Sequence, residues 1–166
     1  GIDPHIVTGV PEHHILISLC EGLTIPNPNP KGSDGYIPGT AESWNISDDG
    51  KEYIFKLNKN AKWSNGEPVT ADDFVWSWKR ILTASLGSQY PDMLYYLVGA
   101  YEYHNGQIDN FDEVGVKAID THTLKVNLKN PTPFFIGLLS HYSTWPVHKE
   151  TVLKHGDIDD RNGEWT

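Results

Sequence analysis

Residues 41–80 read AESWNISDDGKEYIFKLNKNAKWSNGEPVTADDFVWSWKR, and this stretch decides the fold. Its first half alternates apolar and polar residues with a period of two, which is typical of half-buried β-strands. The apolar positions are Trp44 and Ile46 in the first run and Tyr53, Phe55 and Leu57 in the second. Between the runs, Asp48-Asp49-Gly50-Lys51 predicts a tight hairpin turn, because Gly50 can adopt a positive φ at little cost.

The second half of the stretch predicts a turn and then a capped helix. Ser64-Asn65-Gly66-Glu67 has the chemistry of a turn. Thr70 is a natural N-cap with capping-box spacing to Asp73, and the helix dipole stabilises the carboxylates of Asp72 and Asp73 in the first turn. Apolar residues follow at helical spacing: Phe74, Val75, Trp78, Ile81 and Leu82. The stretch therefore predicts an α+β fold, in which helices pack on an antiparallel or mixed sheet.

The composition and charge of the chain argue against several classes of function. The chain has 166 residues, 38% of them hydrophobic, which suits one globular domain with a real core. The formal net charge is −9 and no basic cluster is longer than Lys79-Arg80, which argues against binding to nucleic acid or to anionic membranes. The sequence contains no signal peptide and no apolar run long enough to span a membrane.

No catalytic motif is present, so the sequence predicts neither an enzyme nor a cofactor. The carboxylate pairs Asp48-Asp49 and Asp72-Asp73 are explained by turn and cap chemistry rather than by acid–base catalysis. His5 with His13-His14 is the densest histidine group, but its spacing does not match a metal site, and we predict none. Cys20 is the only cysteine and ends an apolar run, which predicts a buried small side chain.

The rest of the chain predicts several short elements. An apolar run over residues 15–23 predicts a helix that Gly22 and Pro26 end, followed by an irregular connection over residues 27–39. Pro91 can open a helix at its first position. The remaining predictions are a strand over 114–119 with a partner containing Leu124, Val126 and Leu128, helices over 134–139 and 149–155, and a frayed polar end over 157–166.

The stretch resembles the N-terminal part of the extracytoplasmic solute-binding proteins that serve oligopeptide and dipeptide ABC transporters. Three runs carry the likeness: Ala41-Glu42-Ser43-Trp44, Asp49-Gly50-Lys51-x-Tyr53-x-Phe55-x-Leu57 and Asn60-Ala61-Lys62-Trp63-Ser64-Asn65-Gly66-x-Pro68-Val69-Thr70-Ala71-x-Asp73-Phe74-Val75-x-Ser77-Trp78. Shorter matches extend it: Ile2-Asp3-Pro4-His5, Gly9-Val10-Pro11-Glu12, Glu21-Gly22-Leu23, Gly115-Val116-Lys117-Ala118 and Asp120-x-His122-Thr123. The resemblance covers nearly the whole chain and is far more specific than a short motif.

Proteins of this family are much longer than 166 residues. Their two lobes close over a ligand, and one lobe carries an extra domain near the N-terminus. The resemblance therefore implies a fragment of a type II periplasmic-binding-protein-like fold. It assigns residues 1–20 to the adjoining lobe as a strand and loop piece, residues 21–148 to the extra N-terminal domain, and residues 149–166 to a segment that returns to the adjoining lobe.

The same resemblance implies four ligand-binding residues. The segment Thr8, Gly9 and Val10 matches one whose backbone pairs with the bound peptide like an added strand, and Tyr90 matches a tyrosine that the extra domain contributes to the site. Thr8 departs from the pattern, since some relatives carry an acidic residue there. Read from the residues alone, Gly9-Val10-Pro11 is a turn and Tyr90 is a surface aromatic that precedes a helix.

The resemblance implies a receptor that captures oligopeptides and passes them to the membrane permease of an ABC transporter. It also implies a monomer that is either periplasmic or extracellular and membrane-associated, and from which the signal sequence has been removed. Three alternatives stay open. Other members carry nickel complexes, haem or oligosaccharides; the fragment could be an inactive scaffold; and a carbohydrate-binding module can also be acidic and rich in Trp. The module would need a row of exposed Trp, whereas Trp44, Trp63 and Trp78 occupy apolar positions of the pattern.

Overall fold

A computed structural model describes residues 1–31 and 35–160. In chain order its elements are α1 (Val10–Leu19), β1 (Thr24–Pro26), β2 (Tyr36–Pro38), β3 (Ala41–Ile46), β4 (Glu52–Leu57), α2 (Ala71–Leu82), α3 (Ala100–His104), β5 (Val116–Asp120), β6 (Thr123–Asn127), α4 (Phe135–Leu138) and α5 (Lys149–His155). Four antiparallel strands form the main sheet in the order β3-β4-β6-β5, and β1 and β2 form a separate antiparallel pair. The α+β prediction is confirmed, with an antiparallel rather than mixed sheet.

The first hairpin forms as the sequence predicts. Trp44 pairs with Phe55 across β3 and β4, and Gly50 in the turn has φ of 69°. One face of β4 is buried, since Tyr53, Phe55 and Leu57 all point into the core. The period of two therefore correctly identified the buried face of β4, whereas Ile46 at the end of β3 is 48% exposed.

Helix α2 carries the predicted capping box. The Thr70 backbone N–H donates to Asp73 Oδ2 at 2.7 Å, and the Asp73 backbone N–H donates to Thr70 Oγ1 at 3.4 Å. The apolar side of α2 is fully buried against the sheet: Phe74, Trp78, Ile81 and Leu82. The cap fixes where α2 starts, and so which of its residues meet β4, β5 and β6.

Three predictions near the N-terminus are wrong. The first helix begins at Val10 instead of residue 15, because Pro11 fits the first helical turn, where a backbone N–H has no intrahelical partner. It ends at Leu19, and Cys20 is extended and exposed rather than buried. The connection over residues 27–39 is not wholly irregular, since Tyr36–Pro38 pairs with β1.

Later elements follow the predictions more closely. Pro91 opens a 3₁₀-helix that runs from Pro91 to Leu94, and β5, α4 and α5 lie within two residues of the predicted ranges. The C-terminal segment is not frayed where it is described, because the backbone carbonyl of Ile158 accepts a hydrogen bond from Arg80 Nε at 2.9 Å. Residues 161–166 of that prediction lie outside the described residues. Within the described ranges, no helix has the length and apolar character needed to cross a membrane.

Most buried apolar side chains of the described residues belong to one of two groups. The main core lies between α2 and the four-stranded sheet and includes Phe55, Trp78 and Leu124. A satellite cluster forms around α1 from Leu16, Tyr142 and Trp145, and its partly buried rim is Val7 and Tyr90. The candidate binding residues lie around this second cluster.

A buried polar network joins the two groups. The Arg80 guanidinium of α2 is fully buried and donates from two nitrogens to the Asp3 carboxylate, at 3.0 Å and 2.7 Å. His5 Nδ1 lies 3.0 Å from Arg80 Nη1, and His5 Nε2 lies 3.0 Å from the Trp145 carbonyl oxygen. Since Arg80 cannot accept and a carbonyl cannot donate, His5 carries its proton on Nε2 and is neutral. The network, which also holds Ile158, anchors the N-terminal segment to α2.

Candidate functional site

The segment Thr8 to Val10 is exposed chain that leads into α1. Gly9 is the N-cap residue and is extended, with φ of −86° and ψ of 152°, and Val10 is the first helical residue and 69% exposed. Gly9-Val10-Pro11 is thus a helix start rather than the simple turn of the alternative interpretation. Among residues 1–31 and 35–160, none hydrogen-bonds to the backbone N–H or C=O of Thr8. These groups are available to an external partner.

Tyr90 lies half-buried at the rim of the satellite cluster, just before the 3₁₀-helix at Pro91. Its ring meets the ring of His141 edge-on at 5.1 Å and that of Tyr142 edge-on at 6.1 Å between centroids. Such edge-to-face contacts fix the orientation of an aromatic side chain. Tyr90 is therefore held in place on one side and open on the other, rather than being a free surface aromatic.

Tyr142 connects the two parts of the predicted site. Its hydroxyl donates a hydrogen bond to the backbone carbonyl of Val7 at 3.1 Å, directly before Thr8, while its ring contacts Tyr90. Burial raises the pKa of Tyr142 to about 12, and the neighbouring Tyr90 hydroxyl and Glu12 carboxylate act in the same direction. Tyr142 stays protonated at any physiological pH and remains a hydrogen-bond donor. The structure thus brings Thr8, Gly9 and Val10 to the same cluster as Tyr90.

Two histidines flank Tyr142. The ring of His141 lies 4.2 Å from it and the ring of His13 lies 5.5 Å from it, between centroids. Burial lowers the pKa of His141, the nearby His13 lowers it further, and Asp92 opposes both. His141 Nδ1 accepts the Ser143 backbone N–H at 3.3 Å, which fixes the ring.

No sequence pattern marks Tyr142, His13 or His141 as parts of this site. Tyr142 stands 52 positions after Tyr90 and outside any periodic run, so spacing along the chain gives no sign that the two rings meet. The doublet His13-His14 stands out in the sequence only as a pair of possible metal ligands, and its pattern predicts no metal site. In the parts of the chain that are described, no group of three or more His, Cys, Asp or Glu side chains is arranged to hold a metal ion.

The carboxylate pairs lie away from this cluster and have structural partners. Asp49 accepts hydrogen bonds from the Ser47 hydroxyl at 2.5 Å and from the Lys51 backbone at 3.1 Å, which closes the hairpin turn. These bonds, the first above all, lower the pKa of Asp49. Asp73 belongs to the cap of α2. The geometry gives both pairs the turn and cap roles that the sequence predicts.

Comparison with known proteins gives the chain its family. The sequence profile described as "Bacterial extracellular solute-binding proteins, family 5 Middle" matches residues 35–165. The periplasmic oligopeptide-binding protein OppA of Escherichia coli is 45% identical over 160 residues, a match that covers 95% of this chain and 28% of OppA. The periplasmic murein peptide-binding protein MppA of the same organism is 36% identical over 171 residues, covering 100% of this chain and 29% of MppA.

Solved structures agree with these sequence matches. The substrate-binding domain of an oligopeptide ABC transporter from Bacillus anthracis superposes with a TM-score of 0.87 at 37% identity, over 94% of this chain and 29% of that one. Haemophilus influenzae OppA in complex with the peptide RPPGFSPFR gives 0.86 at 38% identity, over 95% and 30%. These neighbours have the type II periplasmic-binding-protein-like fold. This chain, which spans less than a third of the length of these relatives, belongs to family 5 of the bacterial extracellular solute-binding proteins.

Proposed function

We propose that this chain is part of an extracytoplasmic receptor that binds oligopeptides and delivers them to the membrane permease of an ABC transporter. The observation that carries the proposal is the exposed, unpaired backbone of Thr8, which the satellite cluster holds beside Tyr90. The receptor binds and releases its ligand without covalent chemistry or a cofactor. It acts as a monomer that is either periplasmic or extracellular and membrane-associated.

Each predicted residue has a distinct role. An extended peptide adds as a strand along Thr8, Gly9 and Val10, so that its main chain supplies most of the hydrogen bonds. Since every peptide has the same main chain, this mode accepts many sequences. Tyr90 closes one side of the site with its ring. The hydrogen bond from Tyr142 to Val7 fixes the segment before the ligand arrives, which reduces the entropy lost on binding.

The rest of the site belongs to the adjoining lobe. Residues 1–20 and 149–166 are pieces of that lobe, and residues 21–148 are the extra domain. Peptide binding drives the two lobes from an open to a closed state by a hinge motion. The full-length receptor therefore binds peptides more tightly than this chain does.

One relative favours a second candidate function. The probable deoxycholate-binding periplasmic protein YgiS of E. coli is 35% identical over 156 residues, so this region is compatible with a ligand that is not a peptide. Such a ligand cannot add as a strand and would not depend on the backbone N–H groups of residues 8–10. A carbohydrate platform has less support, since the five described tryptophans are all buried or half-buried: Trp44, Trp63, Trp76, Trp78 and Trp145.

Calorimetry of the full-length receptor with tri- to pentapeptides tests the proposal. Neighbouring N–H groups of a strand point in opposite directions, so Thr8→Pro and Gly9→Pro are tested separately. One of the two should weaken peptide binding by about tenfold, the effect of about one hydrogen bond. Thr8→Ala and Gly9→Ala are the matched controls, because they keep the backbone N–H. The Cβ added at position 9 displaces the flexible Glu12 side chain in Gly9→Pro and in Gly9→Ala alike, so the comparison isolates the N–H.

Tyr90→Phe removes the hydroxyl but keeps the ring contacts and should weaken binding less than Tyr90→Ala does. Binding of all these variants within about twofold of the wild type would overturn the roles assigned to the segment and to Tyr90. Absence of any peptide binding to the full-length receptor, with binding of deoxycholate instead, would overturn the choice of ligand.

A further inference from the structure

Three histidine rings lie along the satellite cluster, next to the candidate site. His141 meets Tyr90 edge-on, with 5.1 Å between the ring centroids, and His13 of α1 meets Tyr142 at 5.5 Å. His14 meets His13 edge-on at 5.9 Å and is exposed. Imidazole is the side chain that changes its charge between pH 5 and pH 8, so this side of the cluster can change charge in that range.

His141 has a hydrogen-bond donor that no described residue uses. The ring is half-buried, and its Nδ1 accepts the Ser143 backbone N–H at 3.3 Å. In the neutral ring the proton therefore lies on Nε2, and within residues 1–31 and 35–160 no group accepts it. When the ring gains a second proton, Nδ1 can donate to the Ser143 hydroxyl, 2.8 Å away. Nε2 is thus available to a ligand acceptor in both charge states.

His13 is placed by the same segment that we propose to pair with the peptide. Its backbone N–H donates to the Gly9 carbonyl at 3.1 Å, so His13 lies about one helical turn after Gly9. Tyr142, which His13 and His141 flank, donates to the carbonyl of Val7. A peptide bound along residues 8–10 therefore lies next to the two histidines.

Two carboxylates face the same rings. Burial and the nearby His13 lower the pKa of His141, and the Asp92 carboxylate opposes them. The Glu12 carboxylate is close enough to Tyr142 to add to the rise that burial gives the pKa of that residue. With neutral imidazoles the group carries the two negative charges of Asp92 and Glu12, and protonation of His13 and His141 cancels them. The electrostatic preference of this side of the site therefore shifts toward anions as the pH falls.

We propose that His13 and His141 form a carboxylate subsite beside Tyr90, which gives the receptor a preference for anionic peptides that grows as the pH falls. The inference rests on the proposed function and names the class of peptide that the same site takes. The ligand carboxylate accepts from His141 Nε2–H in both charge states, and the charges on His13 and His141 strengthen the contact in acid. His14, at the outer edge of the cluster, adds a third charge.

Calorimetry of the full-length receptor tests the subsite with alanine tripeptides that carry one Glu or one Gln at position 1, 2 or 3. At one position, the Glu peptide should gain affinity over its Gln counterpart by at least about fivefold between pH 7.5 and pH 5.5, the effect of about one new ion pair.

The carboxylate can also be the C-terminus of the peptide. A gain of the same size for the free acid of Ala-Gln-Ala over its C-terminal amide, with no gain for Glu, would place the peptide C-terminus in the subsite. Affinity ratios that stay constant within about twofold for every pair of peptides, the acid and amide included, would overturn the proposal.

A double variant assigns the effect to these histidines. His13→Gln with His141→Asn removes both imidazoles and should abolish the pH-dependent gain. Asn at position 141 can still accept the Ser143 backbone N–H, as Asn110 accepts that of Asp112 at 3.0 Å. A gain that survives in this variant would contradict the proposal.

The matched control is His122→Gln with His155→Gln. It removes two imidazoles that lie outside the cluster, in the β5–β6 turn and at the end of α5. This variant should keep the full gain at low pH. Loss of the gain here would show that the effect arises from the overall charge of the protein rather than from the subsite, and would contradict the proposal.

Proton uptake by the wild type gives a readout that needs no variant. At pH 6 a ligand carboxylate stabilises the charged form of the histidines, so the bound Glu peptide should take up roughly half a proton more than the Gln peptide. Calorimetry in two buffers with different ionisation enthalpies measures this number. Binding of both peptides with a constant affinity ratio and equal proton uptake would reject this inference alone. Binding of neither peptide at any pH would reject the proposed function and this inference with it.

Discussion

The main core buries its apolar side chains completely, whereas the satellite cluster buries its apolar side chains only in part. In the main core, α2 buries its whole apolar side against four strands, and Phe55, Trp78 and Leu124 are inaccessible to solvent. In the satellite cluster, α1 buries Leu16 alone, and Val7 and Tyr90 remain half-exposed at the rim. The helix starts differ as well, since α2 has a capping box and Gly9 of α1 offers no side-chain cap. The stable region supports the fold, and the incomplete region holds the candidate site.

The largest expected effect comes from one substitution made in each region. Leu124→Ala should lower the free energy of unfolding by about 4 kcal/mol, and Leu16→Ala by only about 2 kcal/mol, although both leucines are buried. The rim of the satellite cluster can relax into the space that Leu16 leaves, whereas the main core cannot. Urea denaturation of this chain measures both values, and an equal cost would show that the satellite cluster is as tightly packed as the main core.

The next largest effect is expected from a substitution in the buried polar network that joins the two regions. Asp3→Asn should lower the free energy of unfolding by about 3 kcal/mol, because a neutral amide replaces the carboxylate that pairs with the fully buried Arg80. Glu102→Gln, which breaks the half-exposed ion pair with Lys129, is the control and should cost at most about 1 kcal/mol. Similar costs for the two variants would mean that Arg80 finds other partners and that the link between the regions is weak.

The smallest expected effect is a dependence of stability on pH that the protonation of His5 causes. Burial lowers the pKa of His5 from 6.5 to about 4; Asp3 opposes the shift, and Arg80 adds to it. Because the unfolded chain takes up this proton first, stability is full above pH 6.5 and falls as the pH drops to about 4, by at most roughly 3 kcal/mol. Thermal unfolding of the wild type and of His5→Gln from pH 7 to 4 measures the difference. Parallel curves would mean that His5 is not buried as a neutral ring.

The same contrast separates what the sequence could predict from what it could not. Local patterns determine the main core: the alternation of Tyr53, Phe55 and Leu57 and the pair Thr70 and Asp73 each act over a few residues, so their structures follow from the sequence. The resemblance correctly indicated the family. The ligand-binding roles of Thr8, Gly9, Val10 and Tyr90 stay predictions, although the structure places these residues around one cluster.

Some features that the sequence missed have local causes, and others depend on distant contacts. The early start of α1 depends on Pro11 being tolerated in a first turn, and the neighbouring apolar run drew the prediction five residues too far along. Cys20 is exposed because α1 stops one residue before it and the chain turns extended. Tyr142 reaches Val7 across 135 positions, and no period or motif in a single sequence reports such a pair.

Arg80 has a consequence for how proteins of this kind can be assembled. It bonds to the chain at Asp3 and again at Ile158, so the polypeptide enters and leaves the region at one place. A unit whose entry and exit points coincide can be inserted into a loop of a host protein without separating the ends of that loop. The Arg80 side chain thus holds two stretches of chain that are more than 150 positions apart in sequence within reach of one guanidinium group.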